Sequence, residues 1–481
     1  MNRTVKDLRA ECESIGISTA GLKSDLVDRL QEAEKNLSSF KSSNTTKRGR
    51  QSSKSPASSK KSPASKSPTR KRSTSRSASK PKPKTPKTAK KSTPVLPPPA
   101  PPHCLIFETS KTSKDVLTVE GATHIALHKY VAGGNTSFDN FMNPYWNSWV
   151  NMLPIWMAPN LVTTCGGAFC LLSFLLFVYY SPTLSSSVPW WVFITSGICT
   201  WSYYTLDCLD GKQARRTGSS SPLGQLFDHG VDCIGNLAHF TAIGSCLASG
   251  PTRITLAGQV ALQFSFFVAQ WQEYHTRELP HKFGEVGVTE CNHIQAATTI
   301  VFGVMEYMGK SHVEMCSSEA YFGLTWAEFV IAAWILQCFI LICVSLNMTV
   351  VRTGNYRSLQ HLTSPLIACL VVYLIPSGVL ASNFRMISLA SGLLFSFITN
   401  KMIVYSMAQM TFATLQPDVV PLVALAWVSG SEGVTGYFVE KAWVAMFVWQ
   451  FVRVIYWSSR AINQLCAKLG IKCFRIPVKK E

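Results

Sequence analysis

The chain has 481 residues, a net charge of +19 and 47% hydrophobic residues, but these averages hide two regions of very different composition. Residues 41–91 contain eighteen Lys or Arg and no Asp or Glu, so the remainder carries a net charge of only +1. Long apolar runs dominate from residue 161 onward, and many of the fifteen cysteines lie inside them, where they pack as small hydrophobic residues. This composition favours a membrane protein with a basic linker over a disulfide-stabilised secreted protein.

Residues 1–36 predict two short helices joined by an extended turn, because apolar residues line one face before and after an interruption at residues 16–19. The segment resembles the SAP motif, a helix-extended-helix DNA-binding module. The residues that carry the resemblance are Leu8, Gly16, Ile17, Ser18, Thr19, Gly21, Lys23, Leu26, Val27, Arg29 and Leu30. A two-helix appendage that binds another protein is the alternative. Because this segment is charged rather than apolar, we expect membrane insertion to depend on an internal helix.

Residues 37–102 are rich in Ser, Lys and Pro and contain almost no residue able to build a core, so they predict a disordered linker. Basic phosphoacceptor triplets begin at Lys54, Lys61, Lys66 and Lys84 and resemble histone H1 tails. The functional interpretation is electrostatic attachment to nucleic acid, anionic lipid or an import receptor. The alternative interpretation is a solvated spacer.

A juxtamembrane segment, residues 103–160, precedes the apolar region and contains Trp146, Trp149 and Trp156. These tryptophans suit an amphipathic helix in the lipid headgroup layer. Residues 161–465 predict the membrane domain, and residues 466–481 a cytosolic tail. The apolar segments of the predicted membrane domain lie near residues 161–180, 188–206, 233–249, 254–271, 294–308, 325–347, 365–381, 386–407, 419–437 and 440–458. Most are long enough to cross a hydrocarbon core of about 30 Å, so the sequence predicts an all-α polytopic membrane protein with about ten spans.

The distribution of basic residues predicts the orientation of these segments. If the basic N-terminus is cytosolic, the even-numbered segments also end in the cytosol. Their ends carry Lys212, Arg215, Arg216, Arg277, Lys282, Arg352, Arg357, Arg460 and Lys468. Since basic residues collect in cytosolic loops, this count places the end of the second segment on the cytosolic side.

Residues 207–232, which read DCLDGKQARRTGSSSPLGQLFDHGVD, concentrate the chemistry of the chain. Asp207 and Asp210 lie three residues apart where the second segment ends, and Asp228 and Asp232 lie four apart before the third. Both spacings put side chains on one helical face, so two helices can direct four carboxylates into one gap. Carboxylates at a membrane boundary repel one another, and divalent cations offset that cost. The motif therefore predicts a Mg2+ or Mn2+ site suited to pyrophosphate chemistry.

Small and basic residues accompany the carboxylates. Arg215 supplies a forked donor that suits a phosphate group. Gly211, Ala214 and Gly224 are small where a backbone or a nucleotide approaches closely. The structural alternative is a network of helix-end carboxylates paired with nearby Lys and Arg.

The motif D-x2-D-G-x2-A-R-x8-G-x3-D-x3-D resembles that of the CDP-alcohol phosphotransferases, and GKQARRTGSSSPLG with FDHG is similar to their choline/ethanolamine branch. Further similarity is found in MAPNLVT at residues 157–163, Trp271 and Tyr274, Thr289-Glu290 and Thr399-Asn400-Lys401. The resemblance implies transfer of a phosphoalcohol from CDP-choline or CDP-ethanolamine to diacylglycerol, which releases CMP on the cytosolic side of the endoplasmic reticulum. An inositol-type transferase fits the short motif but not the ten segments or FDHG.

Carried over by position, the resemblance implies that two ions of Mg2+ or Mn2+ are held by Asp207, Asp210, Asp228 and Asp232. It assigns substrate binding to Asn160, Gly211, Ala214, Arg215, Gly224 and Gln225. Branch members usually have Glu where this chain has Gln225, so the group that takes the proton of the lipid hydroxyl is open. His229 is the first candidate because imidazole titrates near neutral pH, and Asp232 is the second. A role for His229 in orienting Asp228 is the alternative.

The sequence does not decide whether the transferred headgroup is choline or ethanolamine. Choline favours aromatic faces, and aromatic residues near the motif or at cytosolic segment ends are Trp201, Tyr203, Tyr204, Trp271 and Tyr274. Membrane anchoring also explains such residues. Ethanolamine, a primary ammonium, prefers a hydrogen-bond acceptor, and a chain that accepts both headgroups is consistent with the same residues.

A second functional hypothesis is a nuclear-envelope chromatin tether with weakened catalysis, based on the SAP-like segment, the basic linker and Gln225. The expected partners are the CDP-alcohol, diacylglycerol, membrane lipids, DNA or chromatin bound through residues 1–102, and a second copy of the chain. The expected location is the endoplasmic reticulum membrane or the nuclear envelope, with the motif and the N-terminus in the cytosol or nucleoplasm.

Overall fold

The computed structural model describes residues 115–476, apart from residues 131–132, 281 and 284–285. The described chain is helical except for its loops and one two-stranded antiparallel ribbon, β1 (Lys282–Phe283) and β2 (Val286–Gly287). The α-helices are α1 (Val119–Leu127), α2 (Ser137–Met152), α3 (Pro159–Tyr180), α4 (Trp190–Thr217), α5 (Pro222–Cys246), α6 (Arg253–Thr276), α7 (Val288–Tyr307), α8 (His312–Ser317), α9 (Trp326–Thr353), α10 (Thr363–Cys369), α11 (Val371–Leu374), α12 (Ser377–Ala408), α13 (Val419–Val428) and α14 (Gly436–Leu469). A 3-10 helix covers Tyr356–Leu362. The predictions for residues 1–114 lie outside the described part.

Helix α12 forms the centre of the main hydrophobic core, and every residue from Ala390 to Ala408 is buried. Helices α5, α6 and α14 pack around it, while α3 and α4 pair with each other and α4 also pairs with α7. In the described range, α3, α9 and α12 are long and apolar enough to cross a membrane by length and composition. These helices agree with the prediction of an all-α polytopic membrane protein.

Other long helices are less apolar because they carry polar side chains that face the protein interior. The Gln259 amide of α6 donates to the Ser388 carbonyl at 2.9 Å, and the Gln263 amide donates to the Gly392 carbonyl at 3.3 Å. Polar groups that bond to a neighbouring helix need no lipid contact, so the polar content of α6 is compatible with a place in the bundle. The described cysteines are all free thiols, as their positions in apolar runs predict.

The seventh predicted segment, residues 365–381, is a broken helix rather than a continuous one. It contains the short helices α10 and α11, and Pro376 caps the start of α12. The chain from the 3-10 helix to α11 follows the length of α6. It starts beside Trp271 of α6, whose indole donates to the Ser358 carbonyl at 3.0 Å. The path ends where the Arg253 guanidinium donates to the Val372 carbonyl at 2.7 Å. Trp271 and Arg253 are eighteen residues apart on α6, so the broken helix covers about 27 Å.

The ninth predicted segment, residues 419–437, is not one helix, because the ten-residue helix α13 ends at Val428 and turns follow until α14 begins at Gly436. The irregular chain before α13 is largely buried, and the Ser364 hydroxyl both accepts from the Gln416 backbone amide at 2.7 Å and donates to the Thr414 carbonyl at 3.1 Å. Non-helical backbone at such depth requires protein partners. Charged side chains hold the same stretch: Lys401 donates to the Gln416 side chain at 2.9 Å, and Arg453 of α14 pairs with the buried Asp418.

The predicted amphipathic helix is present as α2, which begins with a capping box of Thr136 and Asp139. Trp146 differs from the prediction: it is only 4% exposed because it packs with Val162 of α3 and Leu209 of α4. Trp149 and Trp156 are exposed, as a headgroup contact requires. The helix therefore presents Trp146 to the protein and leaves Trp149 accessible, while Trp156 differs from the prediction because it lies in the turn after the helix ends at Met152.

Gly392 is the point where α12 and α5 come closest. A Cβ at this position overlaps the Leu237 side chain and lies 2.9 Å from the Gln263 amide nitrogen. We expect Gly392→Ala to destabilise the protein by about 1–3 kcal/mol, because an overpacked core has to shift its helices. Thermal unfolding of the detergent-solubilised protein measures the change.

The matched control for this variant is Gly378→Ala on the same helix, where a Cβ meets nothing within 4 Å. It is expected to leave stability unchanged or raise it by up to about 1 kcal/mol through helix propensity. Equal unfolding midpoints for the two variants would contradict the close α5–α12 packing.

Candidate metal and substrate site

The carboxylate motif spans the end of α4 and the start of α5. Helix α4 continues past the second apolar segment to Thr217 and ends at Gly218, which adopts the left-handed conformation with a φ of 65°. The next helix begins after Ser221, whose hydroxyl accepts from the Gly224 amide, with Pro222 in the first turn. This short connection brings the carboxylates of both helices to the same end of the bundle, as their spacing predicts.

Three of the predicted metal ligands converge in this structure. Oxygen atoms of Asp207, Asp210 and Asp228 all lie within 4.8 Å of one another. The Asp207 Oδ1 atom is buried and has no hydrogen-bond partner among the described residues. An all-oxygen, anionic donor set with an unsatisfied buried oxygen fits a hard divalent cation such as Mg2+ or Mn2+.

Two hydroxyl groups orient the carboxylates. The Thr163 hydroxyl of α3 donates to Asp210, and the Tyr203 hydroxyl donates to Asp232. Asp232 is not part of the group of three that lie within 4.8 Å, although it follows Asp228 by one helical turn. Sequence reasoning did not assign these roles to Thr163 and Tyr203. Tyr203 precedes Asp207 by four residues, so the helical spacing contained a signal for its position.

The basic residues of the motif divide into two roles. Lys212 donates to the Asn143 side chain of α2 at 2.7 Å, and Arg216 donates to the Leu153 carbonyl at 2.7 Å, so both fasten α2 to α4. Arg215 is exposed, and no hydrogen bond or ion pair joins its guanidinium to another described residue. Its guanidinium lies 3.4 Å from where a Cβ of Gly211 would be. Arg215 is therefore the basic residue of this group that is available to an anionic ligand.

Asn160 and Gly224 lie on the other side of the motif. The Asn160 amide donates to the Cys473 carbonyl at 2.8 Å, and a Cβ at Gly224 would lie 3.9 Å from the Asn160 Oδ1 atom. The Phe474 ring contacts Phe227 with centroids 5.7 Å apart. The chain after α14, predicted as a cytosolic tail, therefore packs on the predicted substrate-binding residues. Ala214 lies near the end of α4, where its carbonyl accepts from the Ser219 amide at 2.9 Å.

His229 is buried, and its Nε2 atom lies 3.6 Å from the Asp228 Oδ2 atom. The Tyr130 ring meets the imidazole edge-on, with centroids 5.6 Å apart. The neighbouring residue Gly230 is required by close packing, because a Cβ there would lie 2.8 Å from the Asn400 Oδ1 atom of α12. The central helix thus fixes the backbone beside His229.

Gln225 joins two residues that the sequence did not connect with it. Its amide nitrogen donates to the Glu273 Oε1 atom of α6 at 2.7 Å, and its Oε1 atom lies 2.7 Å from the His128 Nε2 atom. A carboxylate only accepts, so the amide oxygen faces His128 and the proton of a neutral imidazole lies on Nε2. Burial lowers the pKa of His128, which favours this neutral form at pH 7. No local pattern links these positions, since 97 and 48 residues separate them from Gln225.

Two family profiles match the chain. The family described as SAP domain matches residues 1–35, and the family described as CDP-alcohol phosphatidyltransferase matches residues 156–334. Choline/ethanolaminephosphotransferase 2 of Arabidopsis thaliana is 30% identical over 386 residues, which cover 75% of this chain and 95% of that protein. A Dictyostelium discoideum protein named uncharacterized CDP-alcohol phosphatidyltransferase class-I family protein 3 is 29% identical over 398 residues, which cover 76% of this chain and 99% of that protein.

Cholinephosphotransferase 1 of Danio rerio is 42% identical over 192 residues, which cover 39% of this chain and 48% of that protein. The chain therefore spans about half the length of this relative. Together with the carboxylate site on α4 and α5, these matches define the class of protein, a helical polytopic protein of a phosphatidyltransferase family. The chain belongs to the CDP-alcohol phosphatidyltransferase family, as the motif resemblance indicates.

The metal site generates a test that does not depend on turnover. We expect Asp210→Asn to weaken Mn2+ binding roughly tenfold or more, because it removes one anionic ligand of three. The same variant is expected to raise thermal stability in EDTA, because it removes the buried member of a group of mutually repelling carboxylates. Electron paramagnetic resonance of free Mn2+ measures the affinity, and thermal unfolding measures the stability.

Glu440→Gln is the matched control because Glu440 is exposed and pairs with Lys441 on α14. It should leave Mn2+ affinity unchanged. Equal Mn2+ affinity in Asp210→Asn and the unsubstituted chain would rule out Asp210 as a ligand.

Proposed function

We propose that the chain transfers phosphocholine, phosphoethanolamine or both from a CDP-alcohol to diacylglycerol, forming the phospholipid and CMP. The observation that carries the proposal is the convergence of Asp207, Asp210 and Asp228 within 4.8 Å, beside an arginine that no described residue pairs with. A cluster of carboxylates next to a free guanidinium suits a substrate that brings both phosphate groups and divalent cations. The names of the relatives from Danio rerio and Arabidopsis thaliana agree with this chemistry.

The residues that would hold two divalent cations, Mg2+ or Mn2+, are Asp207, Asp210, Asp228 and Asp232. When bound, these ions neutralise the pyrophosphate oxygens and stabilise the departing CMP. Thr163 and Tyr203 keep two of the carboxylates oriented by donating hydroxyl protons to Asp210 and Asp232.

The nucleotide is proposed to lie across the motif. Arg215 binds the phosphates, and the small residues Gly211, Ala214 and Gly224 leave room for the nucleotide at the end of α4 and the start of α5. Asn160 and Gln225 provide polar contacts at its edge. Both residues are only 7% exposed, so their side chains form a fixed part of the wall of the proposed nucleotide site.

His229 is proposed to take the proton of the diacylglycerol hydroxyl, with Asp232 as the alternative acceptor. The imidazole lies 3.6 Å from Asp228, so a proton gained there is stabilised by a neighbouring carboxylate. As the proton moves to nitrogen, the hydroxyl oxygen forms a bond to phosphorus and the bond from phosphorus to the CMP oxygen breaks.

We propose that the chain crosses the membrane ten times, with the motif and the N-terminus on the cytosolic side. Eight crossings are assigned to the long helices α3, α4, α5, α6, α7, α9, α12 and α14. The six-residue helix α8 is too short to cross. The two remaining crossings are proposed to be the broken segment of α10 and α11 with the 3-10 helix before it, and α13 with the irregular chain before it. Basic residues at the even-numbered ends support this orientation, and an endoplasmic reticulum location follows from the proposed substrates.

The direct test uses the purified full chain in lipid nanodiscs with diacylglycerol, Mg2+ and either labelled CDP-alcohol. We expect labelled phospholipid and CMP in equal amounts. Asp228→Ala should lower the rate roughly a hundredfold or more, because it removes a metal ligand and the carboxylate beside His229. Glu440→Gln, far from the motif in sequence, should be fully active.

Two results would refute the proposal: no transfer from either CDP-alcohol, or full activity in Asp228→Ala. Gln225→Glu is run alongside them. A rise in rate with this variant would show that the amide at this position limits proton transfer.

A second candidate function is DNA binding by the N-terminal segment, which the SAP-domain match at residues 1–35 favours. We propose that this segment and the basic linker attach the chain to chromatin at the nuclear envelope. The full chain in nanodiscs should bind duplex DNA with an affinity that falls steeply as salt rises. A chain lacking residues 1–102 should lose this binding, and equal DNA affinity of the two would reject the proposal.

A further inference from the structure

Glu273 is a buried carboxylate that the proposed mechanism does not use. It lies near the end of α6 and is 3% exposed. Its Oε1 atom accepts from the Gln225 amide at 2.7 Å. Its Oε2 atom is buried and has no hydrogen-bond partner among the described residues. A buried carboxylate oxygen left without a donor is costly, so this oxygen is suited to a ligand that supplies one.

The position of Glu273 connects it to the metal site. Gln225 and Asp228 are three residues apart on α5 and therefore share a helical face, so the residue that binds Glu273 lies one turn from a metal ligand. Tyr130, whose ring contacts His229, is influenced by the charges of both groups. Its pKa is raised above the usual value, first by burial of the phenol and then by the carboxylates of Asp228 and Glu273.

None of the described groups around Glu273 donates a hydrogen bond to its Oε2 atom. Arg277, the residue that caps the end of α6, is a cation whose charge influences Glu273, but its guanidinium donates to the Ser406 carbonyl of α12. Gln225 is engaged with Oε1 and, through its own oxygen, with His128. Because the Nε2 proton of neutral His128 faces Gln225, its Nδ1 atom is a further acceptor at this place.

We propose that Glu273, together with His128 and Tyr130, forms the subsite for the cationic headgroup of the CDP-alcohol, and that it favours the primary ammonium of ethanolamine over choline. This inference rests on the proposed transferase function and names its headgroup. The metal ligands hold the phosphates, and the headgroup extends from them past Tyr130 to Glu273.

The preference follows from the donors that each headgroup carries. A primary ammonium has three N–H groups, so it satisfies the Glu273 Oε2 atom and one further acceptor such as the His128 Nδ1 atom. A trimethylammonium has no N–H group and leaves that buried oxygen without a donor. Attraction to the Tyr130 ring serves both cations, so it does not remove the difference. A site built to hydrogen-bond a substrate strongly rejects an analogue that lacks the donor.

The test is Glu273→Gln, which keeps the size of the side chain and a hydrogen bond to Gln225 but removes the charge. We expect the ratio of kcat/KM for CDP-ethanolamine to that for CDP-choline to fall about tenfold or more, mainly through weaker use of CDP-ethanolamine. Glu278→Gln is the matched control, because Glu278 is exposed and pairs with Arg352 at 2.7 Å. It should leave the ratio unchanged.

Glu273→Asp keeps the charge and serves as a second variant in case Glu273→Gln does not fold. It should retain more of the ethanolamine preference than Glu273→Gln does. Equal loss with both substrates in Glu273→Gln, or an unsubstituted chain that uses CDP-choline better, overturns the subsite.

Binding of the two nucleotides is measured in parallel by their stabilisation of the full chain against heat in the presence of Mg2+. This measurement separates the two proposals. If both nucleotides bind but neither is transferred, the transferase function is rejected, while an ethanolamine preference lost in Glu273→Gln still supports the subsite. If Glu273→Gln and the unsubstituted chain show the same preference between the two nucleotides, the subsite is rejected whatever the transfer assay gives.

Discussion

The repulsion between crowded, partly buried carboxylates is the constraint on which the rest of this structure depends. Asp207, Asp210 and Asp228 bring oxygen atoms within 4.8 Å of one another at the end of a helical bundle. Such a cluster persists only where the surrounding helices hold it, and here hydroxyl groups of α3 and α4 donate to the carboxylates. The central helix α12 adds rigidity by packing Asn400 against Gly230. Packing of apolar helices therefore supports an arrangement that electrostatics alone opposes.

The same constraint explains the amide at position 225. A glutamate there would place a second carboxylate against Glu273, at the 2.7 Å that now separates an amide nitrogen from an oxygen. With glutamine, the pair carries a single negative charge and a complete hydrogen bond. The departure from the branch pattern, which at first suggests weakened catalysis, is thus accompanied by a buried carboxylate on the facing helix. The negative charge at this place is supplied by α6 rather than by the motif.

Local spacing predicted the part of the site that lies on two consecutive helices. The three-residue interval of Asp207 and Asp210 and the four-residue interval of Asp228 and Asp232 predicted that four carboxylates face one gap, and the structure brings Asp207, Asp210 and Asp228 within 4.8 Å of one another. Contacts between distant positions were not predictable, because nothing in the sequence near Gln225 indicates His128 or Glu273. Apolar length also could not distinguish a continuous helix from a broken one. The seventh and ninth segments have the required length, but Pro376 interrupts the seventh, and turns at residues 429–435, where Gly433 has a φ of 83°, interrupt the ninth.

The charged residues around α13 have a consequence for how the chain enters a bilayer. A ten-residue helix is about 15 Å long, which is half of a hydrocarbon core, and it is preceded by Asp418. That carboxylate pairs with Arg453 of α14, and Lys401 of α12 binds the irregular chain before it. Each charge is costly in lipid alone, and here it is compensated by a partner from another segment of the chain. The charges of α12, α14 and the chain before α13 are therefore buried together, so these segments depend on one another for their place in the bundle.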